Sequence, residues 1–167
     1  VSDNLAHYAR IIEADLGIAV NALPGGGAAG GLGAGLVAFM PADLRPGLDI
    51  VAKALGLDAI VASADLVITG EGRIDSQSMR GKAPVGVAAL ANRHGKPVIV
   101  VAGALGYGAE MAYSRGIDAM FSVIQECCTI EVALAQAAEN VQIAARNVAA
   151  AIKIGRKIQQ QPMPEIF

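Results

Sequence analysis

From Gly70 to Lys82 the chain reads GEGRIDSQSMRGK, thirteen positions that hold two carboxylates (Glu71, Asp75), three cations (Arg73, Arg80, Lys82) and the hydroxyls of Ser76 and Ser78. Two or three cations suit the clamping of a phosphate or carboxylate, and a carboxylate beside them either holds magnesium or accepts a proton. Gly70 and Gly72 let backbone come close to a ligand. The same composition also fits a solvated loop with surface salt bridges, which contribute little stability. A Walker A loop is excluded. Placing Gly81 and Lys82 on that motif puts Ser76 where glycine is needed and Ala83 where the magnesium-binding hydroxyl is needed.

The elements around this loop must hold it at the edge of a sheet. Residues 65–69 (DLVIT), 97–102 (PVIVVA) and 119–124 (AMFSVI) are continuous apolar runs without polar alternation, which predicts parallel strands covered on both faces. Alanine-rich stretches separate them, so the pattern is two successive βα units from about residue 58 onward, a Rossmann-like portion over 58–157. Pro84 and Gly95 bracket a helix over 83–94, and a short helix over 109–115 stops at Gly116. Thr129 is a predicted N-cap for one long last helix carrying Leu134, Val141 and Val148 at seven-residue spacing. Residues 158–167, with two prolines and no period, read as a loose tail. In open α/β sheets ligands bind beyond the carboxyl ends of strands, which is where the polar loop falls.

Residues 1–57 read differently: helices near 2–16, through Phe39 and over 46–55, with a glycine-dense turn at 24–35. This segment either packs on the sheet domain or belongs to a second lobe. GGGAAG (25–30) matches the letters of GxGxxG, but no strong strand precedes it and no acidic residue ends a following strand, which argues against a dinucleotide site. Two readings stay open for Gly25, Gly26 and Gly27: close approach of a helix to another backbone, or amides facing an anion at a helix N-terminus. GALGYG (103–108) is equally open between ligand approach and a flexible connection. His94, at a helix end, reads as a partner of the helix dipole.

The bulk numbers narrow the class. A chain of 167 residues, 54% hydrophobic, can bury a substantial core. Net charge is −2, from 13 basic and 15 acidic residues, with no basic stripe, so a nucleic-acid partner is not expected. Mean hydropathy is +0.49, yet no run of about 18 apolar residues exists, so no membrane span is expected. The start lacks signal-peptide features, and Cys127 and Cys128 lack zinc spacing and read as reduced thiols, so a cytoplasmic location is expected.

TGEGRIDSQSMRGKAPVGVA, with PGGGAAGGLGAGLVAF before it and AENVQIAARNVAAAI after it, closely resembles the bacterial glycerate kinases of the type-1 family, over about residues 4–155. The resemblance implies ATP-dependent phosphorylation of D-glycerate, commonly to 2-phosphoglycerate, with Mg2+, by an enzyme of two α/β lobes around a cleft. It makes the polar loop one wall of that cleft. Arg73 and Lys82 then clamp an anion, and Glu71 or Asp75 takes magnesium or the glycerate hydroxyl proton. Gly70, Gly72, Ser76 and Ser78 line the site, and the turn at Gly25, Gly26 and Gly27 meets a carboxylate or phosphate. Family members are more than twice this length, and the chain looks like their C-terminal part, without the PDSxK-like opening and a GGSxTNDGG-like loop. The expected fold is therefore a three-layer α/β arrangement with a mainly parallel sheet, part of a two-lobe kinase. A homo-oligomer is compatible with it, and so is a ligand-binding lobe that does not turn over by itself.

Overall fold

The computed structural model describes residues 2–160. They divide into two compact units, with the division between Ala54 and Leu55.

The first unit holds α1 (Ser2–Leu16), α2 (Ala28–Phe39) and α3 (Gly47–Ala54). Ala9 and Ile12, one turn apart on α1, meet Val20 and Ala34 in a small core, with Tyr8, Ile18 and Ala38 against it. The glycines serve this packing. A Cβ on Gly33 would stand 2.6 Å from the carbonyl oxygen of Gly25, so α2 runs directly against the preceding turn. The expected turn over 24–35 ends at Gly27. Helix begins at Ala28 through a kink in which Ala29, Gly30 and Gly31 are left-handed, with φ of 49°, 70° and 96°.

The second unit is mixed α/β around a three-stranded parallel sheet in the order β1-β2-β3. It contains α4 (Leu57–Ser63), β1 (Val67–Ile74), a 3-10 turn (Ser76–Arg80), α5 (Ala83–Arg93) and β2 (Val98–Leu105). A second 3-10 turn (Ala109–Arg115), β3 (Ala119–Ser122), α6 (Ile130–Ala135) and α7 (Ala137–Gln159) complete it. Val98, Val100 and Ala102, alternate residues of β2, are fully buried with Ala88 and Ala91 of α5 and with Ala112 and Ile117. The Asp118 carboxylate accepts the Val98 amide proton at 2.7 Å and ties the entry of β3 to the start of β2. His94 caps α5, and its Nε2 lies 3.0 Å from an Asp58 carboxylate oxygen on α4.

Four expectations are corrected here. The polar loop is not a loop at its start: β1 continues through Gly70, Glu71, Gly72 and Arg73 to Ile74, because its partner β2 also continues, pairing Glu71 with Ala102, Arg73 with Ala104 and Ile74 with Leu105. Gly103, Ala104 and Leu105 of GALGYG are likewise strand. Residues 109–115 form a 3-10 turn rather than an α-helix, pinned at both ends by left-handed glycines, Gly108 (φ 78°) and Gly116 (φ 82°). The long last helix is two: Thr129 caps α6 as expected, accepting the Val132 amide, but Gln136 (φ −98°, ψ 10°) breaks the run. Beyond that break α7 buries Asn140, Ala144 and Val148, whereas Leu134 is 70% and Val141 49% exposed. Residues 158 and 159 continue α7, Gln160 caps it, and residues 161–167 of the expected tail lie outside the described residues.

Candidate functional site

Where β1 ends, Asp75 is extended (φ −155°) and caps the first 3-10 turn in a capping box. Its Oδ1 accepts the amide protons of Gln77 at 3.0 Å and Ser78 at 3.2 Å, and its Oδ2 accepts Arg73 Nε–H at 3.1 Å. Ser78 returns the favour to the backbone: its Oγ accepts the Asp75 amide proton at 3.1 Å. The single proton of that hydroxyl has two acceptors at 3.2 Å, the Arg73 carbonyl and Asp75 Oδ1. Ser78 is wholly buried, so these bonds are its only means of satisfying a desolvated hydroxyl. Lys82, the N-cap residue of α5, donates from Nζ to the same Arg73 carbonyl at 3.4 Å. The structure thus gathers Arg73, Asp75, Ser78 and Lys82 into one knot.

Partial desolvation pushes the Asp75 carboxyl upward, but the hydrogen bonds from Ser78, the Gln77 and Ser78 amides and Arg73 outweigh it and hold the group below its ordinary range. A folded-state pKa below the unfolded one gives stabilisation that is complete above the ordinary aspartate value, about 3.9, and lost as pH falls through the folded value. Asp75→Asn should therefore lower the urea midpoint near neutrality, with the gap to wild type closing as pH drops below about 4. Midpoint curves that stay parallel well below that pH would remove the carboxylate from this role.

Glu71 stands apart from the knot. Its one hydrogen bond among the described residues is within its own turn of chain, the Gly72 amide donating to Oε1 at 3.1 Å. Glu71, Gly70 and Gly72 line a groove of about 660 Å³ over β1 and β2, closed on its other side by α6 and α7. Ser76 is exposed, and its amide donates to the Tyr107 carbonyl at 3.1 Å. Sequence reasoning missed how far GALGYG takes part. A Cβ on Gly106 would lie 2.7 Å from the Arg73 guanidinium, and one on Gly108 would lie 2.8 Å from Ser76 Cβ. The signal was present in the position of those glycines after a strand at the same sheet edge.

Gly25, Gly26 and Gly27 belong to the first unit. There the Gly26 amide donates to the Leu23 carbonyl at 2.9 Å, and the carbonyls of Gly25, Gly26 and Gly27 accept from Ala28, Ala34 and Gly31. Among the described residues no helix is long and apolar enough to cross a membrane.

A family model described as Glycerate kinase family matches residues 1–153. A glycerate kinase of Halalkalibacterium halodurans is 48% identical over 149 residues, covering 89% of this chain and 39% of that protein. The glycerate 2-kinase of Escherichia coli K12 is 46% identical over 157 residues, covering 94% of this chain and 41% of its own. A solved structure from Salmonella typhimurium LT2 is 55% identical, with a TM-score of 0.66, and covers 91% of this chain and 39% of that one. The chain therefore spans about two-fifths of the length of these relatives. With a family model matching residues 1–153 and relatives 46–48% identical over nearly the whole chain, the chain belongs to the glycerate kinase family.

Proposed function

We propose that this chain forms one wall of a site that transfers the terminal phosphoryl group of ATP to a hydroxyl of D-glycerate, the 2-hydroxyl by analogy with the Escherichia coli relative. The unit from Leu55 onward is then part of a three-layer lobe in a two-lobed kinase. Such a reaction asks of the protein mainly positioning and neutralisation of the moving charge.

The observation that carries the reading is the contrast between the two carboxylates. Asp75 has both oxygens taken by donors and a depressed pKa, which makes it a poor proton acceptor and a good organiser. Glu71, four residues earlier on β1, has no partner at Oε2 among the described residues and is the carboxylate to accept the proton of the attacking hydroxyl. Arg73, 61% exposed at the side chain though paired with Asp75, and Lys82, bonded to the Arg73 carbonyl, supply positive charge at the end of the same strand. Magnesium enters as part of the ATP complex.

The test is a chimera in which this chain replaces its matching stretch of the Escherichia coli relative, assayed for ADP release with ATP-magnesium and D-glycerate. Turnover is expected from the chimera, and binding of either substrate without turnover from the 167-residue chain by itself. A folded chimera with no glycerate-dependent ADP release overturns the proposal.

A further inference from the structure

Cys127 and Cys128 take no part in the site described above, and the fold gives them a definite setting. They stand in the connection between β3, which ends at Ser122, and α6, which begins at Ile130, and both are exposed. The ends of that connection are fastened. The Val123 amide donates to the Ala102 carbonyl at 2.8 Å, the Ile124 amide donates to Ser122 Oγ at 3.1 Å, and Thr129 caps α6. Between these anchors no backbone amide or carbonyl of Glu126, Cys127 or Cys128 is hydrogen-bonded among the described residues. The peptide joining the two cysteines can therefore turn without breaking a bond of the fold, and the thiols are open to reagents in the folded chain.

The surroundings choose among the reactions open to adjacent thiols. A direct disulfide is strained, because neighbouring Cα atoms are about 3.8 Å apart, short of the roughly 4.4 Å at which disulfides begin. A structural zinc ion takes four protein ligands, and among the described residues no group of three or more His, Cys, Asp or Glu is placed to supply them. A soft, thiophilic centre that needs only two sulfurs, and carries its remaining substituent with it, meets neither obstacle. The atom it inserts between the sulfurs enlarges the ring that a disulfide would close too tightly. Between Ile124 and Val132 the charged side chains are Glu126 and Glu131, so a neutral reagent is favoured over an anionic one. We propose that Cys127 and Cys128 form a two-sulfur chelating site for trivalent organoarsenicals. With an arsine oxide, R–As=O, both thiols add to arsenic and two As–S bonds form. The arsenic–oxygen bond breaks, and the oxygen leaves as water with the two thiol protons; arsenic stays trivalent and nothing is oxidised or reduced. The inference is independent of the roles given to Glu71 and Asp75.

The experiment titrates the native 167-residue chain with phenylarsine oxide, with circular dichroism to show that it stays folded. Intact mass should show one phenylarsenic group per chain, and both thiols should disappear together from a colorimetric thiol assay. The adduct should survive millimolar glutathione, a monothiol, and be released by the dithiol 2,3-dimercaptopropanol. Cys127→Ser and Cys128→Ser should each weaken retention by about 100-fold or more, because the second sulfur of the pair acts at a high effective concentration. Single-cysteine variants that hold the arsenical as tightly as the parent chain overturn the proposal, and so does release of the parent adduct by glutathione. Reaction only after urea has unfolded the chain would show that the fold withholds the pair, and a product with the mass of two chains would show bridging between molecules; either result also overturns it.

Discussion

Gly103→Ala should destabilise the second unit by about 3 kcal/mol or more, enough to remove much of the stability of a domain of this size. The reason is geometric. The carbonyl oxygen of Gly72 occupies the place where a Cβ on Gly103 would stand, and both belong to paired strands whose backbones cannot move apart without breaking the flanking pairs Glu71–Ala102 and Arg73–Ala104. The internal control is Gly72→Ala. A Cβ there meets nothing within 4 Å, so its effect should stay within about 1 kcal/mol, the modest cost of a surface change. Urea unfolding followed by circular dichroism, with unchanged m-values, measures both. Similar costs for the two substitutions would mean that the strands separate freely at this point and that the close approach has no energetic importance.

In the chimera, Glu71→Gln should reduce kcat by about 10² to 10⁴, the usual contribution of a positioned proton acceptor, with little change in the KM for D-glycerate. Asp75→Asn should leave kcat within about tenfold of wild type, because asparagine still caps the 3-10 turn while the charge that holds Arg73 is lost. The pair of variants separates the assignments. Collapse of kcat in the Asp75 variant with normal turnover in the Glu71 variant would exchange their roles.

The strands 65–69 and 97–102 were visible as apolar runs, the second covered by α5 and α7 and the first by α5 on one face, with Ile68 left 56% exposed. Their continuation to Ile74 and Leu105 was not, since the residues beyond the helical cover are glycine, glutamate and arginine, and a backbone ladder leaves no mark on side-chain pattern. The same blindness affects glycine. GALGYG reads like a loop, and only the coordinates reveal that Gly103 is there for the carbonyl of Gly72 and Gly106 for the guanidinium of Arg73. The break at Gln136 carried no glycine or proline to announce it, and the seven-residue spacing of Leu134 and Val141 runs straight across it. That spacing marks an apolar surface correctly but does not say what covers it. In the site, the residue types of Glu71, Arg73, Asp75 and Lys82 were legible from sequence, while the separation of a free carboxylate from a fully bonded one depends on which backbone amides each can reach.

The knot around Asp75 has a thermodynamic meaning for whatever binds beside it. With Ser78 buried and the Asp75 carboxylate, the Ser78 hydroxyl and the Lys82 ammonium all tied to backbone between Arg73 and Lys82, this turn is ordered before any ligand arrives. Ordering a flexible side chain on association costs about 0.5–1.5 kcal/mol each. A pre-ordered turn avoids that cost for most of its members and leaves the exposed Arg73 guanidinium and the Glu71 carboxylate as the groups whose freedom a ligand must still restrict. Calorimetry should accordingly find that the entropy change of binding responds to substitutions at Glu71 and Arg73 and hardly at all to those that preserve the cap.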